Sequence, residues 1–159
     1  MRTRMAADRK RSAAIALGPW AARVLGGYAL LAMHAWFVLK LMLPSDSGAM
    51  ELAAGMAALT GLLASIAFVI CTYGVLASAP DALLDERQSA ERKAAFFGAF
   101  KYLVALLLIG AIGSDLGAKI FGFDLSIAVF QNYLVLLLAT ALVLPATLLA
   151  WRDSALEDD

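Results

Sequence analysis

Pro80-Asp-Ala-Leu-Leu-Asp-Glu-Arg-Gln-Ser-Ala-Glu-Arg-Lys-Ala-Ala-Phe-Phe-Gly-Ala-Phe-Lys101 is a long charged segment set between long apolar runs, and it divides them into two pairs. Proline suits the first turn of a helix, where its missing N–H leaves no bond unmade. Asp81, Asp85 and Glu86 favour the positive end of the helix dipole, with Arg92, Lys93 and Lys101 further along. No glycine or proline interrupts before Gly98. The stretch therefore predicts a charged helix over 80–98 that rises from water and continues into the third apolar run.

Working outward, the composition agrees with a membrane setting. Of 159 residues, 62% are hydrophobic and 16% charged, and the mean hydropathy is +0.80. Soluble domains average nearer half apolar and a quarter charged. Thirteen basic and thirteen acidic residues cancel, so net charge favours no polyanionic partner and no nucleic acid. One cysteine, Cys71, excludes an internal disulfide and a Cys-x-x-Cys redox centre. One histidine, His34, excludes a bis-histidine haem within one chain and the usual zinc ligand sets.

The apolar runs then give four spans in a single membrane domain over 1–159, at about 24–43, 51–76, 96–115 and 125–151. The basic front before Val24 (Arg2, Arg4, Arg9, Lys10, Arg11, Arg23) resembles that of a signal peptide. The apolar stretch behind it is too long for one, so it reads as an uncleaved anchor. Ser12–Trp20 is expected along the membrane surface. Pro44–Gly48 reads as a turn, and Ser114–Asp124 as the second outer loop, with Asp124 as N-cap of the fourth span. Only Tyr102–Ser114 is uncharged in the third run. That span must borrow from the charged helix, with Phe96, Phe97, Phe100 and Tyr102 as an aromatic belt and Lys101 snorkelling back. Gly98 is the candidate hinge and Pro145 the expected kink.

Orientation follows from the basic residues. With both termini in the cytoplasm, all but Lys40 and Lys119 lie inside, eleven of the thirteen. The expected fold is an all-α, integral membrane four-helix bundle whose third span is extended by a charged cytoplasmic helix.

Few side chains offer chemistry. No Gly-x-Ser-x-Gly motif is present, and every acid falls at an expected interface or in water. Neither a nucleophile–base pair nor a mid-membrane carboxylate can be assembled. The chain is read as no enzyme and as needing no cofactor or metal. Ala53, Ala57, Gly61 and Ser65 recur every four residues, a small-residue face that serves packing within the bundle or a homodimer seam. His34, Gln131 and Asn132 are the most polar side chains deep in the spans. His34 lies about 14 Å from the outer end of its helix and Asn132 about 11 Å from the end of its own. A bond between His34 and Asn132 is expected, with Thr60 a third member and Gln131 nearer a rim. Such a cluster is glue between helices or the lining of a small-molecule site.

On the charged helix, Asp85, Glu86, Arg87, Gln88, Glu91 and Arg92 form a candidate partner-docking face, with Arg87 and Glu91 at ion-pair spacing. Leu84-Asp85-Glu86-Arg87-Gln88, entering a span, resembles a motif of small multi-span bacterial membrane proteins of uncharacterised function. That resemblance implies a multi-pass protein of the bacterial plasma (inner) membrane and carries over no catalytic residue. The functional expectation is an accessory or interaction subunit acting through the charged helix. The alternative is a small oligomeric transporter or channel with a polar site around His34 and Asn132.

Overall fold

The structure, a computed structural model, describes residues 15–42, 48–80, 84–121 and 126–153. Five helices follow one another among them: α1 Pro19–Met42, α2 Gly48–Val69, α3 Thr72–Ser78, α4 Glu86–Phe121 and α5 Ile127–Asp153. The described chain is helical apart from its connections and an isolated bridge between Ile15 and Cys71. Four helices are long and apolar enough to cross a membrane, over Pro19–Met42, Gly48–Val69, Glu86–Gly113 and Ile127–Arg152.

The spans fall where the apolar runs put them, but several ends move. α1 starts at Pro19, not Val24, because proline takes the first helical position and the Gly18 carbonyl accepts from the Ala22 N–H at 3.0 Å. Before it, Ile15–Gly18 is not helical, and the rest of the expected surface stretch lies outside the described residues. The Pro44–Gly48 turn lies outside them too, except that Gly48 already opens α2.

The second span stops at Val69, short of the expected end at about residue 76. Cys71 is extended, with φ −78° and ψ 173°. The Thr72 N–H turns away to the Ile15 carbonyl at 3.2 Å, so the helical ladder is broken and restarts as α3. At Gly74 the chain passes so close that a Cβ would lie 2.7 Å from the Phe68 carbonyl oxygen. Nothing in the uninterrupted apolar run announces this break.

The charged helix starts at Glu86, not Pro80. Pro80 instead follows Ala79, the extended residue that ends α3. Asp85 supplies the start signal. Its carboxylate accepts from the Gln88 N–H at 2.8 Å, and the Gln88 side chain accepts from the Asp85 N–H at 3.4 Å. This reciprocal pair is a capping box, and replacing such a cap by alanine costs about 1 kcal/mol. From there α4 runs unbroken through Gly98 and on to Phe121, so most of the expected second outer loop is helix. At about 54 Å, its 36 residues outreach a bilayer core. The cap of the fourth span is Ser126, whose hydroxyl accepts from the Val129 N–H at 3.3 Å; Asp124 lies outside the described residues. α5 continues through Pro145.

Packing makes α5 the axis. Half of its apolar window is buried, 50%, against 11% for α4. α1 packs on α2 and α5, α4 lies along α5, and α3 rests against α5 and α2. Small residues carry the closest approaches, as they must where lipid removes the hydrophobic drive between helices. Ala22, Ala29, Ala146 and Ala150 are all buried in one cluster with Phe68 and Val143. A Cβ on Gly26 would fall 2.5 Å from Thr147 Oγ1 and 3.0 Å from Phe68 Cζ. One on Gly61 would fall 3.1 Å from both Ala32 Cβ and Met33 Sδ.

These clearances separate two neighbouring glycines. Gly26→Val should destabilise the protein by about 1–3 kcal/mol through overpacking, as read by thermal unfolding in detergent. Gly27, with nothing within 4 Å of a built Cβ, should accept alanine with little change. Equal losses at the two positions would show that α1 does not seat on α5 at Gly26.

Candidate functional site

His34 sits on α1, half-buried, and both ring nitrogens are engaged. Nδ1 lies 2.7 Å from the Leu30 carbonyl one turn back. A carbonyl only accepts, so Nδ1 carries the proton and Nε2 is left as an acceptor. Tyr102 on α4 donates its hydroxyl to Nε2 at 3.0 Å, and the two rings meet edge-on at 6.2 Å. The polar contact of His34 therefore joins the first and third spans, not the first and fourth. Asn132 takes no part in either bond. It is half-buried on α5, and Gln131 beside it is exposed.

Thr60 does not join His34 either. Its hydroxyl donates to the Met56 carbonyl at 2.8 Å and accepts from Tyr28 at 2.9 Å, which ties α1 to α2. The expected four-residue cluster is thus resolved into two separate tyrosine bonds. Tyrosine is the residue type that carries these bonds: Tyr133 likewise donates to the Leu106 carbonyl and lies tilted against Phe37, with ring centroids 5.5 Å apart. Its signal was available, since a phenol in a span must find an acceptor.

Other polar side chains are turned back on their own helices. Ser65 donates to the Gly61 carbonyl at 2.7 Å and Thr147 to that of Val143 at 2.9 Å. Thr140 is fully buried, and its hydroxyl has no partner among the described residues. A cavity of about 280 Å³ opens between α2 and α5 over Met33, lined by Leu62, Ser65, Ile66, Leu138 and Leu142 among others. With the Ser65 hydroxyl already bonded, it presents apolar surface, and His34, Gln131 and Asn132 do not line it. Among the described residues no three of His, Cys, Asp or Glu gather as a metal site.

Of the small-residue face, Gly61 and Ser65 are buried, with Gly61 against Ala32 and Met33 of α1; Ala57 is half-buried and Ala53 exposed. Its inner half thus meets α1 of the same chain.

The charged face of α4 is arranged as follows. Asp85 and Gln88 make the capping box, and Arg87 donates to Glu91 at 2.9 Å across one turn. Such an exposed pair contributes only a few tenths of a kcal/mol, about 0.3–0.5. Arg92 is drawn to the Ala79 carbonyl at the end of α3. Glu86, Arg87 and Lys93 remain exposed. A second arginine works similarly: Arg23 Nε donates to the Ala150 carbonyl at 3.0 Å, and its guanidinium lies 5.6 Å from the Trp151 ring centroid. Both cations meet carbonyls at helix C-termini, where the dipole is negative. Lys40 pairs with Glu51 at 3.5 Å near the opposite end of α1.

The His34 geometry gives a direct test. His34→Ala and Tyr102→Phe should show a coupling of about 0.6 kcal/mol in a double-mutant cycle of thermal unfolding, the size measured for bonds between membrane helices. His34→Ala with Asn132→Ala should be additive. Additivity in the first cycle and coupling in the second would reverse the assignment.

Comparison of the chain with protein-family models, with curated proteins and with solved structures finds no match.

Proposed function

We propose that the chain is a non-enzymatic integral membrane protein of a bacterial plasma membrane. In this reading it is a four-helix bundle with both termini cytoplasmic. It works as an accessory or interaction subunit that receives its partner on the charged start of α4. One observation carries the reading: α4 is the least buried span, while its first turns are charged, capped by Asp85 and Gln88, and expose Glu86, Arg87 and Lys93. A helix that packs chiefly along α5, with single bonds to α1 and to the end of α3, presents most of its length to other molecules.

The placement of the basic side chains supports the orientation. Arg23, Arg92 and Arg152 belong to ends that meet one another, where α1 starts, α3 ends and α5 ends. Lys40 belongs to the far end of α1. Positive charge on one side is what a cytoplasmic face carries. A transporter or channel around His34 and Asn132 has less support, because those two side chains are not bonded and the cavity beside Met33 is apolar.

Two measurements test this. Cysteines introduced as Ser47→Cys or Gly122→Cys should react with an impermeant thiol reagent in intact cells, and Ser89→Cys or Ser154→Cys should not. The reverse pattern overturns the orientation. Purification of the intact protein in mild detergent should then retain a partner that is lost in Lys93→Glu, a side chain outside the capping box and the ion pair. A partner retained equally by that variant would place its binding elsewhere.

A further inference from the structure

We infer that residues 15–18 are a releasable strap that holds α2 and α3 apart, and that its release joins them into one helix over residues 48–78. The inference stands on the fold and does not need the docking role of α4.

The break between α2 and α3 has no breaker in the sequence. Neither a proline nor a charge occurs between Leu52 and Ala79. Val69, Ile70, Thr72 and Tyr73 are weak helix formers that also suit extended backbone, so the segment accepts either form.

What separates the two forms is the destination of the Thr72 N–H. In a continuous helix it would donate to the Phe68 carbonyl, one turn back. Here the Cys71 N–H takes that carbonyl at 3.2 Å, and the Thr72 N–H goes to the Ile15 carbonyl at 3.2 Å instead. The Thr72 hydroxyl reaches the same Ile15 oxygen at 3.5 Å. Cys71 and Tyr73, on either side, are only 0% and 4% exposed, so little water can stand in for that acceptor. An N–H left unpaired in such a place is costly. The broken form is therefore conditional on Ile15. Once Ile15 leaves, the Phe68 carbonyl is the acceptor that a resumed helix supplies.

The strap is lightly held. Ile15 and Leu17 are half-buried against the cluster around Phe68 and Cys71, while Ala16 and Gly18 are exposed. Gly74 is the other half of the device. In the broken form a Cβ there would press on the Val69 carbonyl and lie 2.7 Å from the Phe68 carbonyl oxygen. A regular helix instead prefers alanine to glycine. Joining the two helices would also shift the end of α3, where Arg92 of α4 donates to the Ala79 carbonyl. The strap is thereby linked to the charged start of α4.

The test uses the full chain in phosphatidylcholine vesicles. Release is read from Cys71, a buried thiol and the single cysteine of the chain. Ile15→Asp combined with Leu17→Asp should make it react with N-ethylmaleimide at least about tenfold faster, the opening expected when two apolar anchors are lost. Joining is read by electron–electron resonance between nitroxides on Leu59→Cys and Ser78→Cys, both exposed positions, in a Cys71→Ala background. One helix would set these positions about 28 Å apart. The intact chain should give a shorter separation, and the strap variant should move it towards the helical value with helicity retained by circular dichroism. Deletion of residues 2–17 should do the same without introducing charge. Gly74→Ala should shift it in the same direction with the strap intact. An intact chain already at the helical separation would overturn the inference, as would a thiol that stays slow in the strap variant. Equal separations with and without the strap would overturn it too, and would assign the break to the packing of α3 on α5. A shift in Gly74→Ala alone would make the break a property of that glycine and not of the strap.

Discussion

The close seat of α1 on α5 is the contact on which the other helices depend. Where solvent is hydrocarbon, apolar side chains gain little by leaving it, and helices hold together through fit. Gly26 lets the backbone of α1 approach Thr147, and Ala22, Ala29, Ala146 and Ala150 complete the joint. Arg23 then ties the same end to the last turn of α5. α2 adds to α1 through Gly61, and α4 and α3 add to α5. A fifth, short helix fits only because Gly74 leaves room beside the Phe68 carbonyl.

The four spans were legible because they rest on composition over some twenty residues, which lipid thickness enforces. Ends were less so, since they depend on single hydrogen bonds. Pro80 is compatible with starting a helix or following one, and only the Asp85–Gln88 capping box decides between them. Leu-Asp-Glu-Arg-Gln is thereby accounted for in part as a helix start. The break at Cys71 depends on Ile15, more than fifty residues away, taking the Thr72 N–H. No local pattern contains that information.

The polar site was half legible. Depth along a helix is linear in sequence, so the sequence places His34 in depth. Its partner depends on how neighbouring helices are rotated, which periodicity in one helix does not determine. Asn132 matched the depth, and Tyr102 matched both depth and direction. Tyr102 is expected in the aromatic belt, and its hydroxyl instead serves as a donor to His34. Among the described residues, tyrosine hydroxyls contribute bonds between α1 and α2, α1 and α4, and α4 and α5.

The uninterrupted run of α4 has a mechanical consequence. A helix without a break at Gly98 moves as one lever, and its fulcrum is the line of contact with α5 near Leu148 and Tyr133. A sideways push on the capped, charged end would therefore meet no hinge at Gly98 and be carried along the helix. The Tyr102–His34 bond ties the same helix to α1. Displacement at one end of α4 is thus passed to its neighbours α1 and α5 without any change in the helix itself.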